Sequence, residues 1–340
     1  MCASPASKSV TKLRPSFLLV AWLCLFSAAG AAAETDNARH WLDRLSKAVR
    51  ERNYEGTFVY LHQGNIETLR IIHRADDDGE MERLYSLTGE PREIIRDNER
   101  VTCILPDDKA VMVDRRQLGN PLSNVVPGNT SRLDRSYRLE LLGDDRIANR
   151  EAKQVGITPQ DRYRYGYRLW IDQESGLLLR ADLVNEQGEP VEQLLFTELR
   201  MPEVIPTSAL EPRISGEGFT WFQEPVDAKA ESPANLQWQV PGIPEGFDLV
   251  LHEVRPLPGS DRPVEHLLYS DGLASVSIYI ESAGEEAGFS GHSRMGALNA
   301  YGLELDGYQA TVVGEVPAAT VSRVGKSIRR NTAATGSPNK

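Results

Sequence analysis

The sequence predicts an α+β protein in two units: a wide, curved antiparallel sheet packed over one helix, then a smaller α+β unit behind a proline-rich connector. Three observations predict it. One early stretch has helical periodicity, most of the chain from there to residue 200 alternates apolar and polar residues, and Pro202, Pro206, Pro212, Pro225 and Pro233 precede a second alternating region that ends in a helical stretch. The 340 residues, 40% hydrophobic and 26% charged, suffice for one large or two modest cores and suit neither a disordered nor a fibrous chain.

The first 33 residues read as an export signal. Lys8, Lys12 and Arg14 precede an apolar run from Phe17 to Ala29, and Ala31, Ala32 and Ala33 supply the small residues that a signal peptidase reads. Cleavage is expected after Ala33, because the run is shorter than the ~20 residues of a bilayer span. Losing three basic residues takes the formal net charge from −11 to −14. The mature chain therefore lacks the positive excess that nucleic-acid binding needs. Trp22 and Leu23 before Cys24 are too large for lipoprotein processing, so Cys103 stands alone, read as a buried small hydrophobe within Val101–Leu105.

The mature chain opens on a helix from Asp36 to about Arg52, where Trp41, Leu42, Leu45, Ala48 and Val49 recur at three- and four-residue spacing and Asp36 serves as N-cap. The period then drops to two. Thr57–Leu61, Thr68–His73, Met81–Tyr85, Glu93–Arg96, Val101–Leu105 and Ala110–Asp114 form a meander, broken at Gln63-Gly64-Asn65, Asp77-Asp78-Gly79 and Pro106-Asp107-Asp108 by residues that accept tight-turn dihedrals. Residues 115–136 have neither period and are expected to be a long loop or short capping helices. Strands resume at Tyr137–Leu142, Ala152–Ile157, Tyr165–Asp172, Leu177–Asn185 and Val191–Leu199, for ten or eleven in all. Residues 201–237 are a linker with an anchored patch at Phe219–Phe222. The smaller unit, 238–330, carries strands at Phe247–Val254, Val264–Ser270, Ala274–Glu281 and Tyr308–Gly314, then a helix from Pro317 to Arg330 with Arg329 and Arg330 at its negative end. Residues 331–340 are a disordered polar tail.

Enzyme motifs fail one by one. Gly291-His292-Ser293-Arg294 opens like a nucleophile elbow, but Met295 stands where glycine is needed. Asp76-Asp77-Asp78-Gly79 resembles a calcium loop, but Arg74 occupies the first ligand position. The six histidines lack zinc-site spacing, so no metal or cofactor is expected. Asp172 with Glu174, and Glu285 with Glu286, read as solvated turn charges rather than a glycosidase pair.

Several stretches resemble the RseB/MucB family of periplasmic regulators of the envelope-stress sigma factor. Tyr54-Glu55-Gly56-Thr57-Phe58-Val59-Tyr60 is similar to the family's opening strand, and Arg70–His73 with Glu82–Leu84 to its next two. Arg164–Asp172 and Gly176–Arg180 resemble two further strands, and in the smaller unit His266–Ser277 and Thr311–Pro317 resemble its two most recognisable stretches. The resemblance implies an N-terminal unclosed β half-barrel over a helix, like the lipoprotein carriers and receptors, spanning 34–200. It implies a periplasmic negative regulator, not an enzyme. The partners would be the periplasmic region of a membrane-spanning anti-sigma factor, shielded from the site-1 protease, and lipopolysaccharide or another acylated ligand that releases it. A lipid or lipoprotein carrier of the same half-barrel is the alternative, separated by the second unit, which a carrier does not need. A cryptic hydrolase using Ser293 is a third, and a homo-oligomer is left open.

An open curved sheet that one helix cannot fully cover leaves a groove for acyl chains. Phe58, Tyr60, Ile71, Leu179, Leu194 and Phe196 are the candidate lining, with the choice of concave face open at this point. Arg92 and Arg96, and Arg164 and Arg168, are candidates for bidentate phosphate contacts. The corner Tyr269-Ser270-Asp271-Gly272 and the small unit's edge strands are candidates for the protein partner.

Overall fold

A computed structural model describes residues 37–98, 100–114, 125, 130–223, 236–256, 263–284 and 288–331. The expected export signal, the expected cap Asp36, most of the 115–136 stretch, the second half of the connector and the expected polar tail lie outside them.

Helix α1 covers 37–51 and buries Ala38, Leu42, Leu45 and Ala48, the stripe its periodicity implies. It lies on a 12-stranded sheet. Strands β1 (Tyr54–His62), β2 (Asn65–Asp76), β3 (Gly79–Ser86), β4 (Glu93–Asp97), β5 (Arg100–Leu105) and β6 (Ala110–Asp114) form one meander. Strands β7 (Tyr137–Ile147), β8 (Arg150–Pro159), β9 (Gly166–Asp172), β10 (Leu178–Val184) and β11 (Pro190–Arg200) form the other. Pairing of β1 with β11 joins the two meanders, and the outermost strands never meet, so the sheet is unclosed. The first hairpin turns at Gln63 (φ 53°) and Gly64 (φ 79°), two successive left-handed residues that match the twist of a tight hairpin. A 3-10 turn at Thr130–Arg135 is the described part of the long loop.

The connector is bound to the large sheet more closely than its prolines suggest. A short helix, α2 (Thr207–Leu210), places Leu210 and Ile205 against Ile72 on the side away from α1. Strand β12 (Thr220–Gln223), within the expected patch, adds a twelfth strand parallel to β6. Between α2 and β12 the connector lies on a buried ion pair of Arg83 and Glu93; Glu93 also accepts the backbone N–H groups of Arg213 at 3.0 Å and Ile214 at 3.2 Å. Cys103 is half-buried rather than fully buried, and burial raises its thiol pKa.

The small domain holds a 6-stranded antiparallel sheet of β14 (Asp248–Pro256), β15 (Pro263–Ser270), β16 (Ser275–Ser282), β17 (Gly291–Met295), β18 (Leu298–Leu305) and β19 (Tyr308–Gly314), in the order β14-β15-β16-β19-β18-β17. Two of these strands, β17 and β18, are absent from the sequence reading. Strand β17 is an exposed edge with no apolar alternation, so no period-two signal exists there. Helix α3 (Ala318–Ser327) buries Val321 and Val324 against Val276, Ile278 and Val312. It stops at Ser327, short of the expected Arg330. Arg329 and Arg330 form β20 and pair with Trp238 and Gln239 of β13, so that the end of the domain is tied to its beginning instead of capping the helix.

Candidate functional site

Curvature and the helix settle which face is concave. Phe58, Ile71, Leu179, Leu194 and Phe196 all point toward α1 and form one core with its Leu42 and Leu45. Phe58 lies opposite Phe196 in the ladder, with ring centroids 5.3 Å apart, and Tyr60 lies opposite Leu194. All five are buried, Phe58, Ile71, Leu179 and Phe196 beneath the helix and Leu194 at the limit of its cover. Tyr60, the sixth candidate, is half-buried and marks where helix cover ends.

Past that point the concave floor continues as Tyr60, Tyr167, Ala181, Leu183 and Leu194, with Val125 from the long loop at one side. Two carboxylates stand at its mouth, Glu192 on β11 and Glu315 just after β19 of the small domain. The Tyr60 hydroxyl donates to Glu192 Oε2 at 2.6 Å. The floor opens into a cleft of about 290 Å3 between the domains, with Tyr167 on one wall and Leu273, Ala274, Ser275, Leu298 and Val313 on the other. Among the described residues, no lysine, arginine or histidine lines either space. Desolvation in the cleft and then the charge of Glu192 push the Glu315 carboxyl up, although it keeps access to solvent. Burial above all, helped by the neighbouring carboxylates, raises Tyr60 and Tyr167, so both remain neutral hydroxyl donors.

The four arginines are all engaged within the protein, and Arg164 and Arg168 border one cavity. Arg92 pairs with Glu67, and Arg96 lies half-buried on β4 opposite Glu82. Arg168 donates to the carbonyl of Gly188 at 2.8 Å. It lines, with Arg162, a cavity of about 550 Å3 that Glu140, Asp161 and Glu186 also face, so its charge is mixed. Arg164 is directed into the domain interface. Its buried guanidinium donates to Asp271 at 2.7 Å, Asp161 at 3.0 Å and the Glu245 carbonyl at 2.6 Å.

The corner at Tyr269–Gly272 faces the large domain. Asp271 Oδ1 accepts the N–H groups of Leu273 and Ala274, and Oδ2 accepts from Arg164 and, at 3.0 Å, from the Tyr137 hydroxyl. Ser270 donates to the Ala274 carbonyl at 3.0 Å, Tyr269 is half-buried on the small domain's core, and Gly272 takes the left-handed apex at φ 97°. Gly246, at φ 89°, passes so close that a Cβ would meet Ser136 Oγ at 2.3 Å, which lets the chain reach Arg164. Beside this centre, Tyr165 and Leu183 pack on Ala297, and Thr320 of α3 donates to the Tyr163 carbonyl at 2.7 Å.

Tyr167, Glu192, Glu315 and Tyr137 are the residues that sequence reasoning missed. Glu192 carried a signal: it alternates with Leu194 and Phe196, a carboxylate on an otherwise apolar strand face. Glu315 and Tyr137 carried none, because their importance lies in the domain opposite.

The chain matches the family models described as MucB/RseB N-terminal domain over residues 37–214 and MucB/RseB C-terminal domain over residues 232–329. It is 34% identical over 308 residues to the sigma factor AlgU regulatory protein MucB of Pseudomonas aeruginosa, covering 89% of this chain and 94% of that one. It is 28% identical over 312 residues to the sigma-E factor regulatory protein RseB of Escherichia coli K12, covering 92% and 96%. Among solved structures, MucB in complex with MucA(peri) has a TM-score of 0.69 at 32% identity, covering 87% of this chain and 99% of that one. A crystal structure of MucB has a TM-score of 0.61 at 31% identity, covering 87% and 98%.

Proposed function

We propose that this chain, which belongs to the MucB/RseB family, is a periplasmic regulator. It binds the periplasmic region of a membrane-spanning anti-sigma factor, shields it from site-1 proteolysis, and lets go when lipopolysaccharide or another acylated ligand binds. The observation that carries this reading is the concave floor that α1 leaves uncovered, walled on its far side by the small domain. Such a floor offers apolar surface to an acyl chain and, at its mouth, hydroxyl and carboxylate groups to a polypeptide. The relatives' names as sigma-factor regulatory proteins and the solved complex of MucB with MucA support the polypeptide part. Displacement follows if acylated ligand and polypeptide compete for the same floor, or favour different arrangements of it.

The same reading takes Glu34 as the first residue of the exported chain and assigns no catalysis. The test is binding of residues 34–340 to the immobilised periplasmic segment of the organism's own anti-sigma factor, repeated with purified lipopolysaccharide. Saturable binding that the lipid abolishes is expected. Retention of the lipid with no binding to the segment would replace the regulator by a lipid carrier.

A further inference from the structure

Arg164 and Asp271 sit in two stretches that make the chain recognisable, Arg164–Asp172 in the large domain and His266–Ser277 in the small one. The structure brings these stretches into contact. The Arg164 side chain is 0% exposed and that of Asp271 1%, so the pair is held wholly out of water, where a charge without its partner is costly. Every oxygen of Asp271 is occupied, one by two backbone N–H groups of its own turn and the other by Arg164 and Tyr137.

Position gives this pair a consequence beyond stability. Asp271 holds the turn whose next residues, Leu273 to Ser275, form the small-domain wall of the cleft. Arg164 lies three residues before Tyr167, the large-domain wall. Both walls therefore lie within a few residues of the ion pair. We infer that Arg164 and Asp271 are positioning residues that fix the angle between the two domains and thereby set the cleft. That a partner polypeptide lies in the cleft rests on the reading proposed above; the fixing of the angle does not.

The test is a distance measurement in the full exported chain. Spin labels are placed at Ile66→Cys in the large domain and Val250→Cys in the small one, both well exposed at 69% and 54%, in a Cys103→Ser background. The parent is expected to give one narrow distance distribution by double electron–electron resonance. Asp271→Asn, nearly isosteric, is expected to broaden and shift it, as is Arg164→Met if that variant folds. Arg132→Ala, which removes the exposed interdomain pair with Asp248, is expected to leave it narrow. A narrow, unshifted distribution in Asp271→Asn overturns the inference. Affinity for the anti-sigma segment is measured on the same samples and is expected to fall at least tenfold in Asp271→Asn. Unchanged affinity beside broadened distances overturns the part that links the pair to the binding cleft. Absence of binding by the parent overturns the proposed function, and the distances still decide the role of the ion pair.

Discussion

Each domain lays a single helix on one face of an antiparallel sheet, and the two differ in how much of that face the helix reaches. In the small domain, α3 lies on a 6-stranded sheet and its Val321 and Val324 complete a core with Val276, Ile278 and Val312. In the large domain, α1 meets a sheet of twelve strands and covers the floor around Phe58 and Phe196 but not around Tyr60 and Tyr167. A helix buries only one stripe of side chains. A wide curved sheet therefore keeps part of its apolar floor uncovered, whereas a narrow one does not. The large domain keeps an uncovered apolar floor because its helix runs out.

The comparison breaks first at Phe58. Under α1 it is fully buried, and Phe58→Ala should cost about 3–5 kcal/mol of large-domain stability through lost burial and a cavity. Denaturant unfolding measures this, and a cost no larger than that of an exposed site would mean the helix does not cover this end. Next comes the connector, which has no counterpart in the small domain. Glu93→Gln leaves the buried Arg83 without its counter-charge and should cost about 3 kcal/mol, with new protease cleavage near Arg213 and Ile214. In the small domain Val321→Ala should cost roughly 2 kcal/mol and leave lipid binding unchanged, which calorimetry and a lipid-retention assay separate. At the uncovered end, Tyr60→Phe removes only the hydrogen bond to Glu192 and should alter stability by no more than about 1 kcal/mol. Its effect should appear in ligand affinity instead, and a stability loss matching that of Phe58→Ala would erase the distinction between covered and uncovered floor.

The smallest effect is in pH, where two carboxylates pull in opposite directions. Burial alone would raise Asp172, but bidentate hydrogen bonds from Arg150 at 3.0 and 2.9 Å, with those of Ser175, outweigh it and hold the carboxyl below its ordinary range. Its stabilisation is present near neutrality and is lost as pH falls through that depressed pKa. Glu315 is shifted upward, so its contribution is complete below the ordinary carboxylate range and is lost as pH rises through the raised pKa. Melting curves from about pH 4 to about pH 7 should therefore show Glu315→Gln flattening a decline of stability with rising pH. A steeper decline in that variant would contradict the assigned direction.

Much of this architecture was legible as periodicity. The stripe of Leu42 and Leu45 and the alternation of Phe58 with Tyr60, or Leu194 with Phe196, each identified an apolar face, and Gln63-Gly64 identified a turn. Strand β17 escaped because an exposed edge strand needs no apolar face, and β18, which pairs with it, escaped with it. The connector escaped in part because its anchors, Arg83 and Glu93, read in sequence as ordinary strand charges. The candidate site was legible only in part: of the six named lining residues Tyr60 and Leu194 lie on the uncovered floor, the other four are core beneath α1, and Tyr167 and Glu192 were not singled out.

The sequence by itself determined which residues form the helices and most of the strands, which faces of them are apolar, and that a smaller unit follows a larger one. Local periodicity carries that information, because burial on one side of a helix or strand repeats at a spacing set by backbone geometry. Only the tertiary structure decided that the Phe58 face is the concave one, that α1 stops short of Tyr60, and that Arg164 and Asp271 meet each other. The reason is physical: curvature, helix reach and the choice of a buried partner depend on how distant segments pack. Arg164 has the same chemistry whether it faces solvent, a phosphate or a carboxylate in the neighbouring domain.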